Sequence, residues 1–183
     1  MKEQTTHGDT TGAAPTGERR AERLELRVPT SPTQLPAVRA MTGDLAMRMD
    51  FDLDAVEDLR LAVDEACATL AAVALGDSPL TVVFEATREH LRIDAWVPTA
   101  AGVDVPRDGF GWAVLATLVD TVEAGPGSQA AVPGGDGSSA PVACIAMVKR
   151  LRRYSAATQP ADAFGDEALA DGGPTDHDVS VAR

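Results

Sequence analysis

The chain has 183 residues, the size of one ordinary domain with tails, and 44% of them are apolar. Its formal charge of -12 leaves no basic footprint for nucleic acid and argues against direct DNA binding. Two cysteines without zinc or CxxC spacing exclude a cysteine metal site, and no apolar run approaches the roughly 18 residues of a membrane-spanning helix.

Residues 1–20 are polar, rich in Thr and Gly, and lack the apolar core of a secretory leader; they read as a disordered arm on a cytoplasmic protein. Arg23 to Val28 alternates, with Leu24, Leu26 and Val28 on one side, and predicts a short strand. Ser31-Pro32 is a helix-start signal. Leu35, Val38, Met41, Leu45 and Met49 then recur at spacings of three and four, which predicts a helix over 33–49, weakened at Gly43. Arg39 and Arg48 lie off its apolar stripe.

A long helix is expected over Asp54–Leu75, with Asp54 as its cap. Leu59, Val63, Ala66, Leu70 and Val73 form its apolar stripe. Asp58, Ala62, Glu65 and Thr69 form a second stripe, which suits either a solvated face or the wall of a site that needs a carboxylate. Asp50 to Glu65 holds seven acids and one Arg. Such a surface suits a protein partner with a basic patch. Gly76 and Pro79 end the helix.

Leu80–Thr87 and Leu91–Val97 read as a hairpin, with Leu91, Ile93, Ala95 and Val97 on one face. A loop over 98–108 leads to a third helix over Gly109–Asp120. Val122 opens a short strand. Residues 125–140 hold five Gly and two Pro and read as a flexible turn, and Pro141–Lys149 is the last strand. The domain is expected over 21–153, with a disordered acidic tail over 154–183. Cys67 and Cys144 lie in apolar runs and read as reduced, buried thiols. Strands that pair as hairpins and helices that come in blocks make an α+β two-layer sandwich: one mixed or antiparallel sheet with helices on one face.

The run DLDAVEDLRLAVDEACATL, two strands, and then DGFGWAVLATLVDTVEA together resemble the anti-sigma factors of the RsbW type. These are small members of the GHKL (histidine-kinase-like, Bergerat-fold) ATPase superfamily, and many are serine-protein kinases. The resemblance covers about residues 22–150. It implies ATP and Mg²⁺ as cofactors. Glu65 matches the catalytic Glu that polarises the attacking hydroxyl. Thr69 stands four residues on, where the family normally has the Asn that holds Mg²⁺. Gly109 and Gly111 match the family's GxG at the phosphates. The family's Asp-x-Gly-x-Gly, whose Asp reads adenine, has no counterpart after Val97; Asp94 and Asp104 are the nearest acids. The resemblance further implies an alternative sigma factor as partner, an anti-anti-sigma protein of the STAS type that releases it, and a homodimer through the first strand and first helix. Arg39 matches the family's sigma-contacting Arg. Phosphorylation of a Ser on the anti-anti-sigma antagonist is the accompanying enzymatic reading.

Overall fold

The computed structural model describes residues 21–152. The arm over 1–20 and the tail over 154–183 lie outside the described residues. Five strands and three helices follow in the order β1 (Glu22–Pro29), α1 (Leu35–Arg48), α2 (Leu53–Val73), β2 (Pro79–Ala86), β3 (His90–Pro98), α3 (Phe110–Leu118), β4 (Thr121–Ser128) and β5 (Pro141–Arg150). The sheet order is β1-β2-β3-β5-β4. All four pairings are antiparallel, so of the mixed and antiparallel sheets expected above it is the antiparallel one.

The alternation seen in the sequence sets the two faces of this sheet. Val82 and Phe84 of β2, Leu91, Ile93, Ala95 and Val97 of β3, and Ala143, Ile145 and Met147 of β5 are buried with Leu59, Val63, Ala66 and Leu70 of α2. Burying a Leu or Val of this kind is worth about 1.5–3 kcal/mol, so α2 is held mainly by its apolar stripe. The complementary set, Arg92, Asp94 and Trp96 on β3 and Cys144 and Ala146 on β5, pairs across the opposite face.

The cap of α2 is Asp52, not Asp54. The Asp52 carboxylate accepts a hydrogen bond from the Ala55 N–H at 2.7 Å. Asp54 instead lies in the first turn, where the helix dipole favours an acid. Asp50, with φ 63°, makes the sharp turn between α1 and α2; Asp is one of the few residues that tolerates this conformation. Gly43, read above as a weakness of α1, is instead a contact: a β-carbon there would come within 2.8 Å of Arg60 Cζ. The Arg60 side chain lies across that gap in α1.

The segment 125–140 departs most from expectation. Its first four residues, Gly125 to Ser128, belong to β4, which runs eight residues beside β5. Pro126 is compatible with this because β4 is an edge strand and pairs on one side only. Residues 129–140 then fold over the sheet face that the helices leave open. Trp96 Nε1 donates to Pro133 O at 2.8 Å, and Arg27 Nη2 donates to Gly134 O at 2.6 Å. The loop therefore reaches across the sheet and is tied to β3 and to β1.

Candidate functional site

The second stripe of α2 faces α3 and the end of β5. Its members have different fates. Ala62 is fully buried and lets the layers approach. Asp58 accepts from Lys149 Nζ at 3.0 Å, and the same ammonium donates to Leu118 O at 2.6 Å. Lys149 thus ties β5, α2 and the last turn of α3 together from a nearly buried position. It went unnoticed in the sequence because the contact joins residues 91 apart.

Glu65 lies one helical turn beyond Ala62 and is half-buried. Its carboxylate has no hydrogen bond or ion pair among the described residues. It rests against Gly111 in the first turn of α3: a β-carbon on Gly111 would fall within 2.8 Å of Glu65 Cδ and onto its Oε1. The structure therefore brings Glu65 and Gly111 together. Gly109 caps the same helix, but a β-carbon there would meet nothing within 4 Å, so space does not require a glycine. Thr69 is half-buried one turn beyond Glu65, with its hydroxyl unpartnered among the described residues.

Arg39 stands apart from this cluster. From α1 its guanidinium pairs with Asp64 at 2.6 Å, the residue before Glu65. Both side chains keep substantial exposure, 49% and 29%.

A family model for the histidine kinase-like ATPase domain matches residues 28–132. The chain belongs to this family. Among its relatives, the anti-sigma-F factor RsbW of Mycobacterium tuberculosis (strain CDC 1551 / Oshkosh) is 34% identical over 106 residues, covering 58% of this chain and 63% of the relative. The serine-protein kinase RsbW of Bacillus cereus (strain B4264) is 30% identical over 78 residues, covering 42% and 49%. That of Bacillus subtilis (strain 168) is 38% identical over 47 residues, covering 26% and 29%. The chain thus spans less than two thirds of the length of the curated relatives it matches. The antiparallel sheet layered with helices agrees with the histidine kinase-like fold.

The fit of these residues to magnesium ATP is uneven. Glu65 and Thr69 share one face of α2, and Glu65 lies against the N-terminal turn of α3, whose N–H groups favour an anion. Among the described residues no group of three or more Asp, Glu, His or Cys gathers as a cation cage. A Mg²⁺ ion would thus rely on the Thr69 hydroxyl, phosphate oxygens and water. At the base end the two nearest acids are engaged elsewhere. Asp94 points to the sheet face opposite α2 and is held by two bonds from Arg92, at 2.8 and 2.7 Å. Asp104 accepts from the Val105 N–H at 2.7 Å and pairs with Arg107 at 3.2 Å. The alternation that buries Ile93 and Ala95 already places Asp94 on the other side, so its exclusion was readable in the sequence.

Proposed function

We propose that this protein is an anti-sigma factor. It holds an alternative sigma factor of the stress or sporulation class away from RNA polymerase until an anti-anti-sigma protein of the STAS type displaces it. The observation that carries this reading is the similarity to the M. tuberculosis relative named an anti-sigma-F factor. The setting of Arg39 supports it. A surface ion pair with this much exposure contributes only about 0–1 kcal/mol. A sigma factor carboxylate can therefore take Arg39 from Asp64 at little cost. Homodimerisation through β1 and α1 and a cytoplasmic location belong to the same proposal.

The test is isothermal titration of the full chain with a candidate sigma factor, with and without magnesium ATP. Binding that weakens about tenfold in Arg39→Glu and survives in Glu65→Ala is the expected result. Equal affinity of the Arg39 variant would remove Arg39 from the interface, and no heat with any alternative sigma factor would overturn the reading.

A second reading, phosphoryl transfer to a Ser of the antagonist, rests on the unpaired Glu65 carboxylate beside Gly111. Magnesium ATP would supply the transferable phosphoryl group. Thr69, Gly109 and Gly111 would hold its phosphate end, and Glu65 would take the proton of the attacking hydroxyl. Asp94 and Asp104, the acids nearest the expected base position, are both engaged elsewhere, so this reading stands second. Incorporation of labelled phosphate into the antagonist, abolished by Glu65→Ala, would promote it.

A further inference from the structure

We infer that the sheet face turned away from the helices carries a binding site for a small organic cation with an apolar body, in the cavity under the loop 129–140. The cavity has a volume of about 400 Å³ between that loop and strands β3, β4 and β5. This is the size range of small-molecule sites. It lies opposite the face that presents Glu65 and Gly111, so it stands independently of the function proposed above.

The cavity is bounded by fixed structure. Its roof includes Pro133, whose carbonyl accepts from Trp96, and the loop closes on itself through Gln129 N to Ala140 O at 3.0 Å and Ala130 N to Ser138 O at 2.8 Å. Its floor is open because the residues facing the loop on β4 and β5 are small: Gly125, Cys144 and Ala146. Trp96, Pro126, Val132 and Pro133 supply apolar wall, and an indole face attracts a cation.

The polar groups select the sign of the ligand charge. Asp94, only 8% exposed, and Glu123 both line the cavity. Arg92 is bound to Asp94, whereas Glu123 has no ion pair among the described residues. One carboxylate therefore remains in excess. Two neighbouring groups register the same negative field. The hydrogen bond to Asp94 first, and then the charges of Asp94, Glu123 and Glu85, hold Arg92 more firmly protonated than usual against its partial burial. Burial pushes the Cys144 thiol up, and Asp94 and Asp104 push it further. An anion would meet repulsion here, and an ammonium group would meet Glu123.

Trp96 and Trp112 are the chain's two tryptophans, so Trp112→Phe leaves Trp96 as the reporter. The full chain carrying that change would be titrated with benzylamine, benzyl alcohol and benzoate while Trp96 fluorescence is followed. Benzylamine should give a saturable change, benzyl alcohol a response about tenfold weaker, and benzoate none. Glu123 is exposed at the cavity rim, so Glu123→Gln should weaken benzylamine up to about fivefold. Gly125→Val should abolish the response, because a β-carbon at Gly125 meets no atom within 4 Å and fills open space without strain. The proposal is overturned by a non-saturable benzylamine signal, by benzoate binding as well as benzylamine, or by an unchanged response in both the Glu123 and Gly125 variants.

Discussion

Two side chains of α2 make opposite demands on their surroundings. Cys67 is sealed in the core, and burial, with Asp64 adding to it, pushes its thiol from 9.0 up to about 12. The unfolded chain ionises this thiol near its ordinary value, while the folded chain keeps it protonated. Its contribution to stability is complete below about pH 9 and is lost as pH rises towards 12, at about 1.4 kcal/mol per unit. Urea unfolding followed from about pH 8 to 11 should therefore show a smaller downward slope in Cys67→Ala than in the parent; equal slopes would contradict the burial argument. Glu65, by contrast, has a movable end that rests on Gly111. Gly111→Ala forces that carboxylate aside, but an Ala in the first turn of a helix recovers up to about 1 kcal/mol over Gly. Stability should change by less than about 1 kcal/mol, whereas any activity that depends on the Glu65 position should fall. A variant that keeps full activity would show that Gly111 serves packing alone.

At the scale of elements, α3 has a narrow apolar anchor: Leu115 is its one fully buried residue, with Trp112 and Leu118 partly buried against the core. Lys149 adds to that grip by joining Asp58 to the Leu118 carbonyl. Lys149→Met should remove both bonds and leave two acceptors unpaired, at a cost of about 1–3 kcal/mol. Amide exchange should quicken in α3 more than in α1; uniform quickening would mean that Lys149 supports the whole fold rather than one helix. The same contrast explains how far the sequence could be read. Period-two and period-3.6 patterns mark the three helices and β1, β2, β3 and β5, because those patterns are produced by burial against a single core. The cap of α2 slipped from Asp52 to Asp54 because three acids alternate there and each is a competent cap. β4 was cut short because Gly125-Pro126-Gly127 has turn composition, and only its edge position makes it a strand. Of the candidate site residues, Glu65 and Gly111 do meet. The partners of Arg39 and Asp58, and the loop tied to Trp96, depend on distant pairings that no local pattern encodes.

At the scale of the molecule, the charge of -12 is unevenly available. Within the acidic run from Asp50 to Glu65, Glu57 pairs with Arg60, Asp58 with Lys149 and Asp64 with Arg39, while Asp52 caps its helix. Asp50 and Asp54 remain exposed at the N-terminal end of α2 without an ion pair among the described residues. Glu65 is also unpaired among the described residues but is half-buried against Gly111. Of the acids in this run that no ion pair or cap engages, Asp50 and Asp54 are therefore the two exposed ones that a basic partner meets first. Long-range attraction of this kind raises association rates and is screened beyond a Debye length of about 8 Å at physiological salt. The double change Asp50→Asn and Asp54→Asn should therefore slow association with the sigma factor proposed above several-fold at low ionic strength, if its contact surface is basic. It should have no effect at about 1 M salt, where the Debye length falls to about 3 Å, and should leave dissociation nearly unchanged at both. Stopped-flow measurement across a salt series separates the two rates. A slower association that persists at high salt, or a faster dissociation, would place these acids in direct contact with the partner instead of in its approach path.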